Sequence, residues 1–174
     1  MGHTLIICEK PSAAAKIAEA LSEGKPKTLK KGKVSYFELT HKNKKIFVAS
    51  AVGHLFALTE ANKGSWSYPV FDITWKASFE IKKSADYTKQ YYNIIKSLVK
   101  EADELIIATD YDAEGSVIGF NIVRFIANKE DAKRMKFSTM TKDELLESYE
   151  NASAHLDFPQ IYSGETRHKL DFFY

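Results

Sequence analysis

The stretch "DELIIATDYDAEGSVIGFNIV", residues 103–123, runs from a short apolar segment through a cluster of acids into a helical pattern. Its first part predicts a buried strand, and the apolar spacing from Glu114 onward predicts a helix. Asp110, Asp112 and Glu114 fall within five positions at the junction. Like charges at this spacing repel one another, so the cluster requires helix capping or a bound cation to offset the repulsion.

A second strand-to-helix junction opens the chain. "HTLIIC", residues 3–8, predicts another buried strand, which ends at Glu9. Pro11 suits the first turn of the following helix, and Gly24 ends its pattern. Ligands in α/β sheets bind beyond the carboxyl ends of the strands. If the two strands are neighbours, Glu9, Asp110 and Asp112 converge on one spot.

The remaining elements alternate in the manner of an α/β protein. This alternation predicts a mostly parallel sheet with helices on both faces. Along the chain we expect a basic loop at 24–33, a hairpin within 34–55, an irregular insertion around 59–85, a helix at 88–102, a strand at 134–140, a helix at 141–152 with a Thr141–Glu144 capping box, and a final helix at 158–174.

Composition places the chain among ordinary globular proteins. It has 174 residues, 44% of them hydrophobic, and a formal net charge of +2. Its single cysteine, Cys8, rules out an internal disulfide and a cysteine-rich zinc site, and we expect it to be buried. A signal peptide and a membrane-length apolar run are both lacking, so we expect a cytoplasmic protein.

The acids favour a metal site over capping alone. Asp112 as an N-cap and Glu114 beside the helix dipole would explain two acids, but not a further acid at another strand end. Mg²⁺ prefers oxygen ligands and takes one or two carboxylates directly, often with phosphate nearby. The sequence contains neither a P-loop nor a dinucleotide-binding glycine motif, and its histidines show no metal-ligand spacing. Phosphodiester and phosphate-monoester chemistry are the two options that these features leave open.

Five segments, in order and spacing, resemble one known family. "IICEKPSAAAKIAEAL", "SAVGHLFAL" and "ATDYDAEGSVIGFNIV" resemble the TOPRIM domain of type IA DNA topoisomerases, in particular the archaeal members. "FSTMTKDELLESYENA" and "SGETRHKLDFFY" resemble the segments that follow that domain. The resemblance implies a Rossmann-like TOPRIM domain over 1–139 and the start of a helical region over 140–174. The apolar ending "DFFY" leads us to expect a piece of a longer protein.

The resemblance also implies a role for each matching residue. Glu9 matches a metal ligand and candidate proton donor to the leaving 3′ oxygen, and Lys10 matches a phosphate-contacting lysine. Asp110 and Asp112 match the aspartates that hold Mg²⁺, and Glu114 matches the third acid, which supports the water shell of the metal. The residues implied to contact DNA are Lys10, His54, Arg167 and Asp171.

The implied reaction is ATP-independent DNA relaxation through a transient 5′-phosphotyrosine link. None of the nine tyrosines here has the family's nucleophile context, so we expect the nucleophile to lie outside this chain and the chain alone to be inactive. Single-stranded DNA is the implied partner. We expect a monomer that uses no nucleotide cofactor.

Two positions depart from the family pattern Asp-x-Asp-Arg-Glu-Gly-Glu. Ala113 stands where arginine is expected, and Ser116 stands where glutamate is expected. One alternative function is that of another TOPRIM enzyme, such as a primase or nuclease. A second is a non-catalytic DNA-binding module, which the two departures favour. A phosphatase with Asp110 as nucleophile is a further alternative, although the sequence offers no assignable partner residues for it.

Overall fold

A computed structural model of the protein describes residues 2–61 and 72–173. Within these residues the strands are β1 His3–Cys8, β2 Lys27–Lys31, β3 Val34–His41, β4 Lys44–Ser50, β5 Phe56–Glu60, β6 Ile73–Ala77, β7 Ala102–Ala108 and β8 Lys133–Arg134. Six of them form one sheet in the order β2-β3-β4-β1-β7-β8. β1 pairs in parallel with β4 and β7, and β7 pairs in parallel with β8, whereas β2 and β3 add an antiparallel extension. The predicted mostly parallel sheet is confirmed.

Helices cover both faces of this sheet, as predicted. They are α1 Pro11–Leu21, α2 Ser78–Ile81, α3 Thr88–Val99, α4 Ala113–Phe125, α5 Lys142–Glu150 and α6 Phe158–Phe173. Alternate residues of β1 point to opposite faces, because the side chains of a strand alternate with period two. Leu5 and Ile7 join a core that includes α3 and α4, whereas Ile6 and Cys8 join a core that includes α1 and α5. In the described part of the chain, no helix has the length and apolar character that a membrane crossing requires.

The segment predicted as a basic loop is in fact largely a strand. β2 pairs with β3 from Lys27↔Glu38 to Lys31↔Val34 and forms the edge of the sheet. Its lysines are exposed, and Leu29 is the residue of this strand that packs against the core. An edge strand exposed on most of its surface lacks the apolar alternation that identifies a half-buried strand, and lysine is common on such edges.

The region predicted as an irregular insertion contains regular structure where it is described. β5 and β6 pair antiparallel from Phe56↔Ala77 to Glu60↔Ile73, and α2 follows β6 directly. Residues 62–71 of this region lie outside the described residues. The predicted hairpin within 34–55 is confirmed, with β3 and β4 joined by a turn at Lys42 and Asn43.

Two local predictions before and at α5 are wrong in detail. Thr141 occupies the N-cap position but makes no capping hydrogen bond with its side chain. The Glu144 carboxylate instead accepts hydrogen bonds from the main-chain N–H groups of Ser138 and Thr139, outside the helix. The strand predicted over 134–140 is limited to β8: the Met135 N–H still donates to the Ile107 carbonyl of β7, but residues 135–140 form no regular strand.

α6 lies against α4 at a glycine. An added Cβ at the buried Gly164 would lie 2.6 Å from Val117 Cγ2 and 2.7 Å from the Ala113 carbonyl oxygen. No larger residue fits at this distance without moving the helices apart. The close contact brings the second half of α6 to the amino end of α4, where the acidic cluster lies.

Candidate functional site

The carboxyl ends of β1 and β7 meet as predicted. These strands are paired up to Cys8↔Ala108, so Glu9 and Asp110 follow neighbouring strand ends. Lys10 joins them, because its Nζ lies 2.9 Å from Asp110 Oδ2 and 3.6 Å from Glu9 Oε1. The structure therefore brings together three of the residues that the sequence singled out.

Burial and the neighbouring acids raise the pKa of Glu9. Burial is the largest cause, since the side chain is only 17% exposed, and the negative charges of Asp110 and Asp112 act in the same direction against the opposing Lys10. The pKa of Lys10 is raised in turn by its hydrogen bond to Asp110 and by the charge of Glu9. Lys10 thus offsets only part of the negative charge, and the site favours an added proton or cation.

Asp112 caps the helix that follows. Its Oδ1 accepts a hydrogen bond of 2.7 Å from the N–H of Gly115, so the capping interpretation is correct for this residue. Gly115 has no room for a side chain, because an added Cβ would lie 2.1 Å from the Asp110 carbonyl oxygen. Thr109 reinforces the turn by donating a 2.6 Å hydrogen bond from Oγ1 to the Gly115 carbonyl.

Glu114 contacts two histidines. Its Oε2 lies 3.1 Å from His54 Nε2 and 3.0 Å from His168 Nε2. Within residues 2–61 and 72–173, these three residues are the one set of three potential metal ligands whose donor atoms all lie within 4.8 Å of one another. The histidines show no metal-ligand spacing along the chain, yet the fold places His54 and His168 side by side. The metal set predicted from the sequence, Glu9 with Asp110, Asp112 and Glu114, is less tightly grouped.

A strained turn holds His54 in place. Val52 and Gly53 both have positive φ angles, of 55° and 87°. This conformation is costly for a β-branched residue. The turn is bound to the end of β1, since the N–H of Gly53 donates to the Glu9 carbonyl, and Ser78 Oγ donates to the His54 carbonyl at 3.0 Å. Burial lowers the pKa of His54, the nearby His168 acts in the same direction, and Glu114 opposes them.

The other two predicted DNA contacts lie on α6. Arg167 Nε is 3.8 Å from Asp171 Oδ2, and Arg167 Nη1 is 4.0 Å from Glu114 Oε1. Both Arg167 and Asp171 are largely exposed, so this pair is loosely held and open to a ligand. The fold thus places Arg167 beside Glu114, and its contact with DNA stays a prediction.

Sequence reasoning missed Arg134, which is 1% exposed. Its Nη1 donates to the Thr109 carbonyl at 2.8 Å, and its Nη2 donates to the Asp110 carbonyl at 2.9 Å. Burial lowers its pKa to about 10, so the guanidinium stays charged at neutral pH. The available signal was an arginine at the start of a predicted strand: if that strand is buried, the guanidinium needs buried acceptors.

The family departure at Ser116 is accommodated between two helices. Ser116 is buried, and its Oγ donates a 3.0 Å hydrogen bond to Gln160 Oε1 on α6. Tyr111, which lies inside the acidic motif, donates from its hydroxyl to Asp157 Oδ2 at 2.8 Å. Both side chains therefore tie the acidic junction to the segment around α6.

Comparisons with known proteins agree on the family. The Toprim domain model matches residues 4–140. DNA topoisomerase 1 of Methanocaldococcus jannaschii is 47% identical over 171 residues, which cover 98% of this chain and 22% of that protein. DNA topoisomerase 1 of Pyrococcus horikoshii is 40% identical over 172 residues, covering 98% of this chain and 25% of that protein. The chain thus spans about a quarter of the length of these relatives.

A solved structure shares the fold. Full-length topoisomerase I from Thermotoga maritima superposes with a TM-score of 0.59 at 23% sequence identity, over 90% of this chain and 22% of that one. The strand order, the acidic junction and the sequence relatives point the same way. The chain belongs to the Toprim domain family and is a homologue of archaeal DNA topoisomerase 1.

Proposed function

We propose that this chain supplies the Mg²⁺-binding part of a type IA DNA topoisomerase. That enzyme would relax DNA without ATP, by breaking and rejoining one strand through a 5′-phosphotyrosine whose tyrosine lies outside these residues. The observation that carries the proposal is the meeting of Glu9, Lys10 and Asp110 at the ends of two adjacent parallel strands. The names of the relatives support the reaction class.

The donors at this edge fit Mg²⁺. Glu9, Asp110 and Asp112 offer carboxylate oxygens, which Mg²⁺ prefers. The pKa of Glu9 is raised first by burial and then by the negative charges of Asp110 and Asp112, which a bound cation would neutralise. Glu114 is the fourth predicted ligand; because its carboxylate contacts His54 and His168, we assign it to the water shell of the metal. When bound, Mg²⁺ would neutralise charge that develops on a DNA phosphate.

The side chains have separate roles in this proposal. Glu9, partly buried and with a raised pKa, can carry a proton and give it to the leaving 3′ oxygen. Lys10 is exposed on the other side of the same carboxylates, where its ammonium can contact a phosphate oxygen. Asp112 also caps α4, so the metal site and the helix start share one residue.

DNA contacts would spread outward from this edge. His54 and Arg167 lie on either side of Glu114, and Asp171 is paired with Arg167. The exposed lysines of the 25–33 segment, including β2, can add phosphate contacts. We infer a single-stranded DNA segment as the partner, a monomeric chain and a cytoplasmic location.

The test is relaxation of negatively supercoiled plasmid by the protein that contains this chain, with Mg²⁺ and without ATP. Asp110→Asn combined with Asp112→Asn should reduce the rate at least a hundredfold. Asp143→Asn, an exposed aspartate on α5, is the matched control and should leave the rate unchanged. A wild-type protein that binds single-stranded DNA but never relaxes plasmid would favour the non-catalytic module. The departures at Ala113 and Ser116 from the family pattern support that alternative. Restored relaxation in Ala113→Arg would assign that loss to the missing guanidinium.

A further inference from the structure

The cluster of His54, Glu114 and His168 has a donor set unlike that of the acids beside it. It offers two imidazole nitrogens and one carboxylate, from the turn after β4, the first turn of α4 and the second half of α6. Mg²⁺ avoids nitrogen ligands and keeps much of its water, whereas Zn²⁺ and similar ions take two histidines and a glutamate readily. The chemistry of this cluster therefore selects a different class of metal ion.

We propose that His54, Glu114 and His168 form a second metal site, which binds a transition-metal ion of the Zn²⁺ class in preference to Mg²⁺. This inference does not depend on the proposed DNA activity. It rests on three ligands brought together by the fold from distant parts of the sequence.

The distances fit such an ion. In a tetrahedral site with bonds of about 2.0–2.1 Å, ligand atoms lie about 3.3 Å apart. Glu114 Oε2 lies 3.1 Å from His54 Nε2 and 3.0 Å from His168 Nε2, and all three donor atoms lie within 4.8 Å of one another. The two contacts of Glu114 are already close to that spacing, and the histidine donor nitrogens lie no more than 4.8 Å apart, so an approach of the two imidazoles would complete the coordination.

The ligands are held in advance by the surrounding structure. The His54 main chain is fixed by the hydrogen bond from Ser78, and the two imidazole rings pack edge to face with centroids 5.0 Å apart. Trp75 packs against His168 with centroids 5.5 Å apart. Such support reduces the conformational entropy that the side chains lose when they bind a metal ion.

Access and charge also permit an ion. The three side chains are 26–38% exposed, so one coordination position can face solvent and hold water. Arg167 is the nearby cation, with Nη1 4.0 Å from Glu114 Oε1, but its side chain is 69% exposed and free to swing aside. The contact between Glu114 and each histidine would be replaced by bonds from all three to the metal.

The test is a titration of the 174-residue chain with Zn²⁺, monitored by isothermal calorimetry in buffer that contains millimolar Mg²⁺. We expect one Zn²⁺ per chain and at least a tenfold weaker affinity in His54→Gln, in His168→Gln and in Glu114→Gln. His155→Gln is the matched control, because exposed His155 pairs with Asp131 at 2.6 Å and, among the described residues, belongs to no set of three ligands. The Zn²⁺ affinity of this variant should stay within twofold of wild type. Circular dichroism would show that each variant is folded.

A spectroscopic readout keeps the proposal falsifiable if one variant unfolds. In a Trp66→Phe background, Ni²⁺ should quench the fluorescence of Trp75, and Co²⁺ should give the visible absorption of a four- or five-coordinate site. Both signals should disappear in His168→Gln. The proposal is overturned if wild type binds no Zn²⁺, if Mg²⁺ displaces it at equal concentration, or if the loss of His155 weakens binding as much as the loss of His168.

Discussion

Arg134 Nη2 lies 2.9 Å from the main-chain carbonyl oxygen of Asp110, so a buried guanidinium holds the strand end that carries the acidic cluster. The same side chain also donates to the carbonyl of Thr109. Arg134 belongs to no recognised sequence motif, and it contacts Asp110 through the main-chain carbonyl. It is a positioning residue for the candidate metal site.

Arg134→Met should destabilise the chain by about 2–4 kcal/mol, because the carbonyl oxygens of Thr109 and Asp110 would lose buried donors. Urea unfolding followed by circular dichroism measures this change. Arg167→Met, in which an exposed arginine is lost, should change the free energy of unfolding by less than about 0.5 kcal/mol. Equal stability of Arg134→Met and wild type would show that the guanidinium does not hold this strand end.

Gly115→Ala should destabilise the chain by about 1–3 kcal/mol, since the new methyl group would meet the Asp110 carbonyl and push α4 off its cap. Gly24→Ala is the matched control, because an added Cβ there meets nothing within 4 Å. Thermal melts of both variants give the comparison. Indistinguishable melting temperatures would mean that the backbone at Asp110 and Gly115 is not as closely packed as described.

Glu9→Gln should make the chain more stable at neutral pH by about 1 kcal/mol or less. The pKa of Glu9 is raised in the folded chain, so the folded state binds more protons than the unfolded state between the two pKa values. Stability therefore falls as the pH rises through this window and stays lower above it. The gain in Glu9→Gln should vanish below the ordinary carboxyl pKa of 4.5.

Urea unfolding between pH 4 and pH 8 measures this gain. Glu19→Gln, on the exposed face of α1, is the control and should leave the free energy of unfolding unchanged across this pH range. A Glu9→Gln variant that is less stable than wild type at neutral pH would contradict the raised pKa of Glu9.

Two substitutions at Asp112 should separate its role in capping α4 from its role in binding Mg²⁺. Asp112→Asn keeps an oxygen that can accept from the Gly115 N–H, so its stability should stay within about 0.5 kcal/mol of wild type, whereas Asp112→Ala should lose about 1 kcal/mol. Both variants should lose Mg²⁺-dependent relaxation in the protein that contains this chain. Full relaxation by Asp112→Asn would leave Asp112 with the capping role alone.

The parts of the fold that the sequence predicted best are those buried on both sides. β1 and the second half of β7 are buried and largely apolar, as central parallel strands require, and an acid that marks the site follows each strand. β2 escaped prediction because its lysines face solvent and a single leucine packs inward. The apolar pattern of a segment reports which of its residues are buried, and an exposed edge strand buries few residues.

The candidate site was predictable where it follows chain order and missed where it depends on tertiary contacts. Glu9 and Asp110 are recognisable because they end strands. Arg134 and His168 reach the same edge from distant elements, so no spacing in the sequence reveals their contacts with Asp110 and Glu114. Glu114 shows the consequence most clearly, since the fold turns it toward His54, which was predicted only as a DNA contact, and His168, which had no predicted role.

The most direct measurement for the central claim is a Mg²⁺ titration of the ¹⁵N-labelled chain, with a short single-stranded oligonucleotide present, followed by amide NMR. The amides of Glu9, Lys10 and Asp110 should shift in a saturable manner at millimolar Mg²⁺, and Asp143 on α5 should not. Asp110→Asn combined with Asp112→Asn should abolish the shifts. Amides at the ends of β1 and β7 that do not respond to Mg²⁺, while the chain stays folded, would contradict the assignment of this edge as the magnesium site.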